Sequence, residues 1–262
     1  GSPVVLPRPM FSLYAKVARL QDADLTSVPP LDDLRFDTDR IVDAVRETQA
    51  RLTVLTSPNN PTGRALTLAE IEQVVEASPG IVVVDEAYME FNSEPSAVAL
   101  LEEHPNVIVL RTLSKAFGLA GLRLGYLIAH PSVVRELMKS RLPFMVSRFA
   151  EQTALAVLQR PELVEERVRQ MQVSITEVTE ALKSMDQVAV VPSEANFVLF
   201  KTPMPADRLQ QCLTDHGVLV RNMGGYPELE GYLRVCAGTR VENKAFLAAL
   251  EETLYSEASH GT

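Results

Sequence analysis

The sequence contains no tryptophan, two cysteines, and only 6% aromatic residues among 262. Cys212 and Cys236 lie far apart and outside any Cys-x-x-Cys or Cys/His cluster. That spacing argues against a disulfide framework and against a structural zinc site, so no metal is expected. A basic excess is also missing. The formal charge is −9, which leaves no general footprint for nucleic acid. No apolar run approaches the roughly 18–20 residues that span a bilayer, so no membrane role is expected. The first residues show no charged-then-apolar secretory pattern, and the expectation is a soluble, cytoplasmic protein of a reducing compartment. Internal repeats and low-complexity tracts are absent as well.

What remains is near-average composition, 46% apolar and 23% charged, over a length that suits one large domain or two modest ones. Three short runs read as buried strands: Leu52–Thr56, Ile81–Val84 and Val107–Leu110. Between the first two, Thr67-Leu68-Ala69-Glu70 has the capping-box pattern, followed by Ile71, Val74 and Val75 at helical spacing. Strands alternating with helices predict βαβ units and a parallel sheet covered by helices.

From Pro161 a long helix is predicted, with Val164, Val168, Met171, Ile175, Val178, Leu182 and Met185 alternating three and four residues apart. Such a stripe is a packing face rather than a functional box. A strand over Asn196–Phe200, a helix over Ala206–His216, strands over Val218–Val220 and Tyr232–Val235, and a closing helix from Val241 complete a smaller α+β unit. The expected boundary lies near residue 150, dividing 1–150 from 151–262.

Three segments that follow strands carry the chemistry, since open α/β sheets bind ligands at the carboxyl ends of their strands. Ser57-Pro58-Asn59-Asn60-Pro61-Thr62-Gly63 is a restricted loop with asparagine amides that both donate and accept. Asp85-Glu86-Ala87-Tyr88 puts a carboxylate at the end of a buried strand, where it needs a cation or donor; a helix N-cap or structural ion pair is the plain alternative. Arg111 to Arg123 sets Lys115 among small hydroxyl and glycine residues, with a guanidinium eight positions later. Hydroxyls, backbone N–H groups and a guanidinium suit a phosphate, and a partly desolvated lysine can act as an amine nucleophile. The glycines match neither GxGxxG nor the Walker pattern. An amine for an aldehyde, an anion for a pyridine nitrogen and a phosphate clamp together fit pyridoxal 5′-phosphate (PLP).

Taken together, SPNNPTG, VDEAY and RTLSKAFGLAGLRLGY resemble the fold-type I PLP-dependent aminotransferases, and specifically the histidinol-phosphate aminotransferase family. The resemblance runs through nearly the whole chain. It implies an α/β fold, a mostly parallel sheet with flanking helices plus a smaller α+β C-terminal domain, and a homodimer. It implies that Lys115 is the Schiff-base lysine that also shuttles the substrate proton, and that Asp85 pairs with the pyridine nitrogen. Asn60 and Tyr88 match the residues that hydrogen-bond the ring oxygen, and Thr112, Ser114 and Arg123 match phosphate ligands. Phe11 falls where the family places an aromatic stacked on the ring, with plain core packing as its alternative. Arg234 and Arg221 match two substrate arginines. Arg234 would grip the carboxylate of glutamate or the phosphate of histidinol phosphate, and Arg221 would assist or be merely structural.

The implied activity is histidinol-phosphate:2-oxoglutarate amino transfer in histidine biosynthesis, with a small amino donor and a 2-oxo acid as partners. The family also implies a further stretch ahead of the segment around Val4, including a Gly-rich helix start that gives N–H donors to the phosphate. Gly1-Ser2 reads as an expression scar or as native residues of a fragment. Two rival readings stand beside this one: an aromatic aminotransferase or threonine-phosphate decarboxylase of the same fold, and a non-catalytic fragment that keeps the fold without the cofactor.

Overall fold

Residues 1–260 are described by a computed structural model of the chain, and they build two sheets. Six strands form the larger one: β1 (Pro3–Pro7), β2 (Asp24–Val28), β3 (Leu52–Thr56), β4 (Ile81–Asp85), β5 (Val107–Thr112) and β6 (Gly125–Ala129), in the order β2-β1-β3-β4-β5-β6. All neighbours pair parallel except β5 with β6. The periodicity reading picks out β3, β4 and β5. It misses β1, which is edged by prolines, and the mixed-polarity β2. It also misses β6, whose first three residues are exposed and so carry no buried pattern.

The antiparallel return of β6 has a simple cause. A parallel crossover usually runs through a helix that carries the chain back along the sheet face, whereas the link from β5 to β6, residues 113–124, holds no α-helix and only the 3₁₀ turn Ala120–Leu122. After that loop the chain returns beside β5 in the opposite direction. Gly125 is required there, because a Cβ at that position would lie 2.8 Å from the Arg111 carbonyl oxygen.

Helices α1 (Leu13–Leu20), α2 (Thr38–Thr48) and α3 (Leu68–Ala77) connect these strands. The predicted capping box forms: Thr67 Oγ1 accepts from Glu70 N and a Glu70 carboxylate oxygen accepts from Thr67 N, worth about 1 kcal/mol of helix stability. Ile41 and Val45 of α2, Val74 of α3, and Val5, Leu55, Val82, Val84, Val107 and Val109 of the sheet are fully shielded from solvent.

Beyond α4 (Pro131–Lys139) and α5 (Arg148–Leu158), the long helix α6 (Pro161–Lys183) leads into the second sheet. Its strands are β7 (Ala189–Val191), β8 (Phe197–Lys201), β9 (Arg221–Asn222) and β10 (Tyr232–Cys236), all antiparallel in the order β7-β8-β10-β9. Helices α7 (Ala206–Asp215) and α8 (Arg240–His260) pack on it. The predicted strand Val218–Val220 is displaced. Val218 N closes the end of α7 on Leu213 O, and Gln210 Nε2 takes the Val220 carbonyl, so the ladder begins only at Arg221. The packing stripe of α6 divides between two cores. Val164, Val168 and Met171 join Tyr88, Ala116 and Phe197, while Ile175, Val178, Leu182 and the following Met185 join the core of the smaller sheet. One helix thus rests on both units.

Candidate active site

β1 has β2 on one side and β3 on the other, so the connections leaving β1 and β3 diverge. Divergence of this kind opens a crevice outside the carboxyl ends of the strands. The buried Asn59 stitches the two loops together: its Nδ2 donates to Pro9 O at 2.8 Å and to Thr62 Oγ1 at 2.9 Å, and its Oδ1 accepts from Thr56 Oγ1 at 2.6 Å. Thr56, Asp85 and Leu110 are in register across the ends of β3, β4 and β5.

A cavity of about 330 Å³ lies over these strand ends, within the range of small-molecule pockets. Phe11, Asn60, Asp85, Tyr88, Thr112, Ser114, Lys115 and Arg123 all line it. Because β6 runs back beside β5, the excursion carrying Lys115 and Arg123 begins and ends at this same edge. Phe11 is 42% exposed, so it is a wall of the cavity and not core. Lys115 Nζ stands 5.4 Å from the centroid of the Tyr88 ring. Lys115 and Ala116 also border a second cavity of about 890 Å³, between their loop, α6 and the start of α8.

The two carboxylates of the Asp85-Glu86 pair do different things. Glu86 is 2% exposed and structural: it accepts from Ala97 N, Ser96 Oγ and Arg111 Nε, and its nearest guanidinium contact is 2.8 Å. Asp85 turns to the cavity. Its Oδ1 accepts from Ala87 N at 3.0 Å and its Oδ2 from Tyr14 Oη at 2.5 Å. Burial pushes the Asp85 carboxyl above the usual carboxylate range, against the opposing pull of those two donors and Lys115. Burial, with Asp85 beside it, pushes the Tyr14 hydroxyl strongly upward, so Tyr14 remains a donor. Burial also drives the Tyr88 hydroxyl up to about 12, with Arg234 acting in the opposite direction.

Arg234 reaches the site from the second sheet. Its Nη1 donates to Asn60 Oδ1 at 2.6 Å, which leaves both N–H bonds of the Asn60 amide to donate elsewhere. Arg221 does not line the cavity. It lies exposed on edge strand β9 directly opposite Arg234, and directly opposed residues project from the same face of a sheet.

The donor set fits PLP. Thr112 Oγ1 accepts from Ser114 N at 3.1 Å and so keeps its own proton to donate. Asp85 has one donor on each oxygen, and a carboxylate accepts about four, which leaves room for a ring N–H. Asn60 keeps two donors for a ring oxygen, Lys115 brings an amine, and Phe11 offers a flat wall.

Comparison with known proteins decides the family. The model for "Aminotransferase class I and II" matches residues 1–250. The chain is 43% identical over 252 residues to the histidinol-phosphate aminotransferase of Chlorobaculum tepidum, covering 96% of this chain and 72% of that protein. The chain belongs to the class I and II aminotransferases. Among solved structures, the histidinol-phosphate aminotransferase of Sinorhizobium meliloti in complex with pyridoxal-5′-phosphate superposes with a TM-score of 0.88 at 29% identity, covering 98% of this chain and 71% of that one. The L-threonine-O-3-phosphate decarboxylase of Porphyromonas gingivalis superposes with a TM-score of 0.85 at 25% identity, covering 97% and 78%. This aminotransferase is PLP-dependent, of fold type I, and works on an amino donor and a 2-oxo acid. Among the described residues no helix is long and apolar enough to cross a membrane.

Two contributors to this site carried no signal in the sequence: Tyr14, 71 residues from Asp85, and Phe197, which stacks under Arg234. Tyr14 tests how the carboxylate is tuned. Its bond lowers the pKa of Asp85, so Tyr14→Phe should let Asp85 protonate at higher pH. The acid limb of the kcat profile should then move upward in pH, with kcat at neutral pH roughly tenfold lower, the effect of one hydrogen bond to a charged group. An unmoved acid limb would remove Tyr14 from the account.

Proposed function

We propose that the chain catalyses amino transfer between histidinol phosphate and 2-oxoglutarate, with residues 1–150 as the cofactor-binding part and 151–262 as the smaller part. The observation that carries this reading is the sharing of one cavity by Lys115 and Asp85, with Arg234 tied to its wall through Asn60. When bound, PLP supplies an aldehyde that takes the amino group and a ring that accepts the electron pair left at the substrate Cα. Lys115 carries the cofactor and moves the proton at the substrate Cα. Asp85 balances positive charge at the ring nitrogen and Tyr14 holds that carboxylate in place. Asn60 and Tyr88 donate to the ring oxygen, Thr112, Ser114 and Arg123 hold the phosphate, and Phe11 covers the ring.

Arg234 binds the substrate anion, helped by Arg221. Support for this assignment comes from their direct opposition on β9 and β10: two like charges in that position repel unless an anion lies between them. A carboxylate suits the fork of Arg234 alone, and a phosphate can use both.

A homodimer in the cytoplasm completes the reading. Support for self-association comes from the segment joining α4 and α5 and the first turn of α5, where Leu142, Phe144, Met145 and Phe149 are 64–99% exposed.

The test supplies PLP and follows glutamate formed from 2-oxoglutarate with histidinol phosphate as donor, alongside CO2 released from threonine phosphate. Amino transfer without CO2 supports the proposal. CO2 release without transfer favours the decarboxylase reading, whose fold is shared. Arg234→Ala should lower kcat/KM for both half-reactions roughly 10²-fold, the effect of removing one member of a desolvated charged pair. An unchanged kcat/KM would take the anion site away from Arg234.

A further inference from the structure

We infer that Phe197 is a positioning residue for the substrate anion: its ring is the shelf that sets the plane of the Arg234 guanidinium. The inference rests on the reading of Arg234 as the substrate arginine. Phe197 opens β8 and pairs with Cys236 of β10, so Arg234, two residues earlier on β10, is its diagonal neighbour on the same face. The Arg234 Cζ lies 4.8 Å from the Phe197 ring centroid. The edge-to-face partner of Phe197 is Tyr88, with centroids 5.3 Å apart and planes at 86°. Lys115 in turn stands over Tyr88, so Lys115, Tyr88, Phe197 and Arg234 form one continuous chain of contacts beside the cavity.

The need for a shelf follows from what else holds the guanidinium. Among the described residues, only Nη1 has a hydrogen-bond partner, Asn60, and Nε is buried without one. A single bond at one corner fixes a point but leaves the plane free to swivel about it. Bidentate recognition of a carboxylate needs that plane fixed, because the two N–H bonds must stay parallel. A planar, weakly hydrated guanidinium is well suited to lie on an aromatic face, where the ring quadrupole attracts it.

Phe197 is itself rigidly placed. It is 1% exposed, and its carbonyl accepts from Ser193 Oγ at 2.6 Å. The turn before β8 is hooked to the loop that bears Asn60, since Glu194 N donates to Gly63 O at 2.7 Å. Gly63 has φ +75°, and any Cβ there would lie 2.2 Å from Ser193 Oγ, so only glycine permits this approach. Shelf and anchor point thus share one support.

Leucine fills similar space without a flat π face, and fluorinated phenylalanines keep the shape while weakening the quadrupole. The experiment measures binding of glutarate, a dicarboxylate that cannot react, to the PLP-loaded chain by calorimetry. KM and kcat for 2-oxoglutarate, the visible cofactor absorbance and the melting temperature are recorded in parallel. Phe197→Leu should weaken glutarate roughly three- to thirtyfold and raise KM by a similar factor, with kcat and cofactor absorbance little changed. Affinity should fall stepwise as Phe197 is replaced by phenylalanines of increasing fluorination. In an Arg234→Ala background, Phe197→Leu should have no further effect. Glutarate binding indifferent to every Phe197 change, while Arg234→Ala abolishes it, overturns the shelf and leaves the anion site standing. Binding indifferent to Arg234→Ala overturns the anion-site reading, and the shelf with it. Should Phe197→Leu not fold, the fluorinated series decides alone, and a flat response overturns the inference.

Discussion

Lys115→Ala should abolish amino transfer, lowering kcat roughly 10⁴-fold, the upper end of what a positioned proton carrier contributes. The fold should survive, because Lys115 is exposed and its side chain meets only the Tyr88 ring and the charge of Asp85 among the described residues. Its amine shares a cavity with Asp85, so the variant would lose both the covalent tether to the cofactor and the group that moves the substrate proton. Two measurements separate these losses. Borohydride added to the PLP-loaded wild type should bleach the visible band and fix the cofactor's mass on a peptide containing residue 115, whereas the variant should show neither. A small primary amine added to the variant should restore part of the proton transfer without restoring the tether. Cofactor fixed at another lysine, or a variant with near-normal kcat, would displace Lys115 from its role.

Asp85→Asn should separate activity from stability. A neutral amide cannot balance positive charge at the ring nitrogen, and losing one preorganised electrostatic partner lowers rates on the order of 10²–10³-fold. Stability should move the other way. Burial raises the carboxyl pKa of Asp85 in the folded chain, so the folded state binds that proton more tightly than the unfolded state does. The resulting contribution is fully present below the ordinary carboxylate pKa and is lost as pH rises through the folded value. At neutral pH the charged carboxylate therefore works against the fold of the cofactor-free chain. Asparagine removes that charge and still accepts from one donor, and the Tyr14 hydroxyl can reverse to accept from the new amide. The cofactor-free variant should melt at least as high as wild type at pH 7, and the difference should shrink toward pH 4. A large drop in melting temperature at pH 7 would mean that the charge is structural, as in Glu86.

The distinction between Asp85 and Glu86 shows how far residue order alone reaches. Both carboxylates follow the same apolar run; the resemblance singles out Asp85, while the residues alone leave a structural ion pair as its alternative. Alternation along β4, continued by one residue, sends them to opposite sides: Glu86 meets Arg111 and Ser96, and Asp85 meets Tyr14 and the cavity. Arg221 and Arg234 were likewise offered by the resemblance, but only their cross-strand register makes them neighbours.

Local patterns announced β3, β4 and β5, the Thr67–Glu70 box, the packing stripe of α6 and the three loops with their chemistry, because such features depend on residues a few positions apart. Strand order and register then chose the pairs: Asn60 with Arg234 across 174 residues, Tyr14 with Asp85 across 71, and Phe197 between Tyr88 and Arg234. A single chain records periodicity and turn chemistry directly. It does not record which distant ends meet, since that follows from how two sheets and one shared helix bury their apolar faces together.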